Sequence, residues 1–226
     1  MAIETESLKN AITTDFQYFK NWYDFSFNIE KYLPAQEFEK VFSVYDKSIF
    51  NILLSSGYAQ TGIRRNLLKI LGLKDSVDYD ICAKPVKLVI NHRDRLVRAM
   101  NVAGAIFHHK DIIKIISKSE LNVLVEFIGQ KTHSFIIKRG MVLWKMLPNL
   151  KIKTTKMPTI KKIVSSGRCI LSNALVGLPD EVRKRLELML GEHFDIPSGC
   201  DEAVASKCLE LIEFSLEKLK DENHNG

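Results

Sequence analysis

Between Arg93 and Gly140 the chain reads RDRLVRAMNVAGAIFHHKDIIKIISKSELNVLVEFIGQKTHSFIIKRG, and its apolar residues recur at steps of three and four. That spacing matches the turn of a helix rather than the two-residue alternation of a strand, so the segment must fold as amphipathic helices on a core. Leu96, Met100, Ala103 and Phe107 fall on one stripe. Gly104 lies beside it. A glycine inside a helix costs about 1 kcal/mol relative to alanine, so Gly104 reads either as a close backbone approach by a neighbouring helix or as a tolerated residue. Ser117, followed three residues later by Glu120, has the form of a capping box that satisfies orphaned N–H groups at a helix start. Leu121, Leu124, Val125 and Ile128 make the stripe behind it, and Gly129 stands where a left-handed C-terminal cap is wanted. A new apolar run with a basic end, Phe135 to Arg139, follows.

The rest of the chain extends the helical pattern. Residues 6–24 read as a helix with Leu8, Ile12, Phe16 and Phe19 in register. The aromatic-dense NWYDFSFNIEKYLP comes next, where Trp22, Tyr23, Phe25, Phe27 and Tyr32 are expected to pack under a loop. Asp24 and Glu30 keep this segment near neutral, unlike a basic platform for stacking bases. Phe38 to Leu54 predicts a long helix ended by Ser55, Ser56 and Gly57, and Ile63 to Leu71 a shorter one closed by Gly72. LKDSVDYDICAKPVKLVINHRD reads as a long connection with one short strand at Val86 to Ile90. Pro158 is expected to start a helix whose face carries Ile160, Ile163, Val164 and Leu171. Leu178, Pro179, Asp180 and Glu181 open another, with proline in the first turn and acids near its positive end, and Val182, Leu186, Met189 and Leu190 bury it. Asp201 to Leu219 is the last. The expected fold is all-α: an irregular assembly of about eight to ten helices with little or no strand. Its 226 residues make a single helical domain, either one body or two lobes with a hinge near 148–158, and 220–226 form a flexible tail.

Charge is unevenly distributed. The net charge is +6, yet no acidic residue occurs between Glu126 and Asp180. That interval holds Lys131, Lys138, Arg139, Lys145, Lys151, Lys153, Lys156, Lys161, Lys162 and Arg168, so the remainder of the chain is net negative. Such a field attracts an acidic protein surface, a phosphate backbone or anionic lipid. No apolar run reaches the roughly 18 residues of a membrane span, and MAIETESLKN is too acidic and polar for a secretory signal. The expected location is cytoplasmic.

Chemistry-bearing motifs are sparse. Gly57 and Gly62 have phosphate-loop spacing, but Ile63 and Arg64 stand where lysine and a hydroxyl residue are needed. Cys82, Cys169, Cys200 and Cys208 are scattered and read as buried or idle thiols. Adjacent His108 and His109 point about a hundred degrees apart on a helix, so they do not chelate one metal together, although Asp111 could join one of them. No nucleophile elbow, zinc-protease motif or acidic metal cluster occurs. No catalytic, cofactor-binding or metal-binding residue is assigned, and a non-enzymatic protein is expected.

Three patches together resemble a known family. FSFNIEKYLP supplies Phe27, Asn28, Tyr32 and Pro34; the central region supplies Leu96, Gly104, Leu121, Leu124, Gly129, Phe135 and Arg139; the C-terminal part supplies Leu178, Pro179, Arg183, Leu186 and Pro197. These resemble the packing motifs of the accessory adaptor of the type III secretion sorting platform, the SctK/YscK/PscK family. The resemblance implies a mostly helical adaptor without enzymatic activity at the cytoplasmic face of the injectisome's inner membrane. It would link the cytoplasmic domain of the inner-membrane ring protein (SctD type) to the pod protein (SctQ type), and through that to stator and ATPase. It implies no cofactor, no nucleic acid and no direct membrane insertion. Independently of the family, Lys151, Lys153, Lys156, Lys161 and Lys162 are expected to form a basic partner-binding face near the hinge. Two other readings stay open: a basic helical nucleic-acid-binding protein, and a small-molecule enzyme built around His133 or His109.

Overall fold

A computed structural model describes residues 15–32, 48, 52, 55–74, 76–77, 79–143, 147–150, 152, 157–190 and 201–223. The helices are α1 (Phe16–Phe27), α2 (Gly57–Ile70), α3 (Lys84–His92), α4 (Leu96–Phe107), the single turn α5 (His109–Ile112), α6 (Lys118–Ile128), α7 (Gln130–Leu143), α8 (Thr159–Ala174), α9 (Asp180–Leu190) and α10 (Glu202–Asn223). Short 3-10 turns occupy Ile29–Lys31 and Arg93–Arg95. No strand occurs among the described residues, and the all-α, multi-helix expectation holds. No helix among them is long and apolar enough to cross a membrane. The chain divides into two compact units, one of residues 1–93 with 178–193 and one of 94–177 with 194–226. Residues 148–158 lie within the second. Pro34, Pro197 and the expected helix from Phe38 to Leu54 fall outside the described residues, apart from Ser48 and Ile52.

In the first unit, Asp15 starts α1 by accepting the Tyr18 N–H at 2.9 Å, an N-cap that satisfies one orphaned donor. Tyr18, Trp22 and Phe25 are buried at steps of four and three, and Ile29 continues the stripe. This corrects two expectations. Phe16 does not belong to the buried stripe; it is 68% exposed, because burial follows the larger set of rings that begins at Tyr18. The aromatic segment does not pack under a loop either: Trp22 to Phe27 are the second half of α1. Asn28 ends the helix, its backbone N–H on the Asp24 carbonyl and its side-chain amide on the Asp24 carboxylate at 2.6 Å. Ile29, Leu67, Leu68 and Leu73 form a local core, packed by Leu71 and Leu188. Gly72 closes α2 at φ +66°, a left-handed conformation cheap for glycine.

The short strand expected at Val86–Ile90 is absent. Those residues lie in α3, which begins with proline in its first turn. Val86, Leu88, Val89 and Ile90 are all buried. The helix is amphipathic, with Lys84, Lys87 and Asn91 exposed at steps of three and four, but it is only nine residues long and its β-branched Val86, Val89 and Ile90 imitate a strand.

In the second unit, α4, α8 and α10 pack pairwise against one another. Leu96, Ala99, Met100 and Ala103 of α4, Ile163, Ile170 and Leu171 of α8, and Cys208, Leu211, Ile212 and Leu216 of α10 are all essentially excluded from water. Each fully buried Leu or Ile is worth about 1.5–3 kcal/mol, so this trio carries the unit. The glycine reading resolves towards close approach. A Cβ on Gly104 would collide with the Ile163 carbonyl oxygen and come within 3.0 Å of the Gly167 nitrogen, and one on Gly167 would collide with the Met100 carbonyl oxygen. The two backbones touch through paired glycines. Phe107, expected on the stripe, is half-buried at its end.

Helices α6 and α7 are layered beside this trio. Ser117 caps α6 by accepting the Glu120 N–H at 3.4 Å, and the Glu120 carboxylate accepts from the Thr159 hydroxyl at 2.8 Å. Leu124 and Ile128 are buried, Leu121 and Val125 half-buried. Gly129 turns the chain into α7 at φ +87°. The last helix runs to Asn223.

Candidate functional site

Of the five lysines expected to form a basic face, Lys151, Lys153 and Lys156 fall outside the described residues. Lys161 is exposed in the first turn of α8, as a docking residue must be. Lys162 is half-buried and serves an internal contact: its ammonium lies 3.2 Å from the Asp111 carboxylate. Of the other cations in the acid-free interval, Lys131, Lys138 and Arg139 are exposed on α7 and Arg168 on α8, while Lys145 lies outside the described residues.

Asp111 belongs to a larger cluster. His108 Nδ1 is 3.4 Å from the same carboxylate and His108 Nε2 is 2.7 Å from the Ser166 hydroxyl. Burial pushes the His108 imidazole below its ordinary value of 6.5, and the opposing pull of Asp111 does not restore it. Burial alone would raise Asp111, but the hydrogen bond and charge of Lys162, with His108, hold its carboxyl below the usual 3.8. The neutral imidazole therefore donates from Nδ1 to Asp111 and accepts from Ser166. Serine, histidine and aspartate in this order resemble a nucleophile relay. Ser166, however, is completely buried, so no substrate reaches it and the cluster joins α8 to the α4–α5 corner. His109, its neighbour, is buried with Nδ1 on the Ile106 carbonyl at 3.1 Å, and His133 is half-buried.

A second polar cluster lies in the first unit. Arg185, 2% exposed, donates to the Glu181 carboxylate at 3.2 Å and carbonyl at 3.1 Å, and to the carbonyls of Ser26 at 3.3 Å and Lys74 at 2.6 Å. The Lys74 N–H returns to Glu181 at 3.2 Å. One guanidinium thus fastens α9 to the end of α1 and to the chain after α2, offsetting its own burial with a carboxylate and three carbonyls. The sequence alone marks Glu181 only as an acid at a helix start. The spacing of four to Arg185 was the available signal, since it puts both on one face.

Most of the described residues carrying the family resemblance occupy packing positions. Phe27 meets Trp22 edge-on, centroids 5.9 Å apart. Asn28 caps α1, and the Arg93 guanidinium lies 3.9 Å over the Tyr32 ring. Leu96, Leu124, Leu178 and Leu186 are buried, and Leu121 is half-buried. Gly104 makes the helix crossing and Gly129 the turn. Phe135 packs on Phe214 at 5.8 Å, under the Lys218 ammonium. The Pro179 carbonyl accepts the Arg183 N–H at 3.0 Å, and the Arg183 guanidinium donates to Asp180 at 2.9 Å. Arg139 is exposed.

Among the described residues no group of three or more histidines, cysteines and carboxylates is placed to hold a metal ion. Both polar clusters described above join helix to helix, so the fold and its clusters define a helical packing scaffold. Residues 22–213 match the family described as YOP proteins translocation protein K (YscK), and the chain belongs to that family of type III secretion proteins. Neither a curated protein nor a solved structure matches the chain.

Proposed function

We propose that this protein is a non-enzymatic adaptor of the type III secretion sorting platform at the cytoplasmic face of the inner membrane. In this reading it links the cytoplasmic domain of the ring protein to the pod protein, and through the pod to stator and ATPase. The observation that carries it is the YscK match over residues 22–213, most of the chain. Two structural features support it: most of the described residues on which the resemblance rests sit at packing positions, and the described polar clusters are spent on internal contacts. Lys151, Lys153, Lys156, Lys161 and Lys162 supply the basic face for an acidic partner surface, Lys162 also pairing with Asp111.

The test is co-purification of the full chain with the ring protein's cytoplasmic domain and with the pod protein of the same bacterium, at low and high salt, beside a non-specific RNA. Saturable capture of both proteins is the expected result. Capture of neither overturns the adaptor reading, and capture of RNA alone assigns the basic interval to a phosphate backbone.

A further inference from the structure

Helix α1 has a second aromatic face beside the one in the core. Tyr18, Trp22 and Phe25 are buried, whereas Phe16, Phe19, Tyr23 and Phe27 recur at steps of three, four and four along another side. Phe16 is 68% exposed and Tyr23 44% exposed, while Phe19 and Phe27 are half-buried. Successive rings lean on one another, the Phe19 and Tyr23 centroids 6.5 Å apart and those of Tyr23 and Phe27 5.2 Å. At its C-terminal end the stripe opens into a cleft of about 210 Å³, where Tyr23 and Phe27 face Thr61, Arg64, Arg65 and Leu68 of α2. The Arg64 guanidinium is fixed there by its Nε, which donates to Glu30 at 2.9 Å. An apolar cavity of about 150 Å³ already accepts a benzene ring, and a fixed guanidinium plane stacks on one, so the cleft suits an aromatic side chain.

One face thus carries both a projecting ring and a hole for a ring. Phe16 stands eleven residues before Phe27, about 16 Å along a helix that rises 1.5 Å per residue. When two copies of α1 lie antiparallel about a two-fold axis, each residue faces the one placed symmetrically across the axis, and each rim of the stripe meets the same rim of the other copy. The midpoints of Phe16 and Phe27, of Phe19 and Tyr23, and of Lys20 and Asp24 all fall at residues 21–22. A single register therefore sets ring on ring along the centre and one rim, and unlike charges along the other rim. Lys20 is exposed. Lys31 and Asn28 both donate to the same oxygen of Asp24, at 2.8 and 2.6 Å, which leaves its second oxygen for a cation across the axis.

We propose that α1 and the α1–α2 cleft form a two-fold interface between two copies of this chain. Phe16 of each copy enters the cleft of the other, flanked by Phe19 on Tyr23 and Lys20 on Asp24. A second copy is the occupant because it brings the ring, the hole and the two charges at matching spacings by symmetry alone. The inference stands apart from the adaptor assignment, since it uses only the shape and register of this face. One helix face is at the small end of specific interfaces, below about 1,200 Å² in all, so the pairing is weak and concentration-dependent.

The experiment is sedimentation equilibrium of the full chain between about 1 and 300 μM, a range that brackets weak pairing. The average mass is expected to rise from one chain towards two. Phe16→Ser removes the projecting ring and Thr61→Trp fills the cleft, both from exposed positions, so urea unfolding should be unchanged. Each variant loses two contacts per pair of chains and should pair about a hundredfold more weakly. An equimolar mixture of the two regains one contact, because the intact Phe16 of one meets the intact cleft of the other, and should pair about tenfold more tightly than either variant alone. A single chain throughout the range would assign the stripe to a different protein and overturn the proposal. Pairing undiminished in either variant, or a mixture no tighter than its components, overturns it as well.

Discussion

Arg185 shows what a single side chain decides in this protein. Its guanidinium reaches two carbonyls outside α9, from Ser26 and Lys74, and a carboxylate within it. Arg185→Ala strands Glu181 in a buried site and removes the fastening at once, and should cost about 3–5 kcal/mol. The check is the urea midpoint at unchanged slope. His108 sets a pH dependence at the same scale. Its folded pKa lies below the unfolded 6.5, so the unfolded chain takes up a proton first as pH falls. Stability from this group is whole above 6.5 and declines from there towards the lower folded value. Asp111, also lowered, adds a second decline below 3.8 in the same sense. Unfolding midpoints measured across these windows should show both, and His108→Gln should remove the first. These roles are partly legible in the sequence. Asp111 stands within reach of one of the two histidines, but the choice of His108, and of Ser166 58 residues beyond it, belongs to the tertiary fold.

At the level of helices, long periodic segments are legible in the sequence and short β-branched ones are not. The boundaries of α4, α6 and α8 follow from periodicity, the Ser117 cap, Gly129 and Pro158. Helix α3 is hard to read because it is short and its core face is β-branched, so Val86, Val89 and Ile90 outweigh the polar face of Lys84, Lys87 and Asn91. The register of α1 slipped because Phe16 and Phe19 also fit a period, and only packing selects Tyr18, Trp22 and Phe25. Gly104 announced a crossing without naming the partner; Gly167 supplies it. Gly104→Ala forces a methyl into the Ile163 carbonyl, and should destabilise by about 1–3 kcal/mol despite alanine's better helix propensity. Thermal unfolding of Gly104→Ala, Gly167→Ala and the double variant checks this. The double change should cost less than the two costs added, because the first separation of the axes relieves the second.

For the whole molecule, the acid-free interval is the feature with the longest reach. Charge reversal at Lys151, Lys153, Lys156 and Lys161 should weaken partner capture and its salt dependence while leaving unfolding unchanged. Lys162→Glu should instead destabilise, through repulsion from Asp111. Unchanged capture in the first variant would remove the basic face from the interaction. The division into units was not legible, because nothing in the composition marks residues 178–193 as belonging with 1–93; long-range bonds such as those of Arg185 place them there. This return of the chain also bears on synthesis. The first unit lacks its last helix until the ribosome has passed residue 193, and the second lacks α10 until it has passed residue 223. Neither unit can close before its last helix is made, and a chain cut at residue 93 or 177 leaves each of them open.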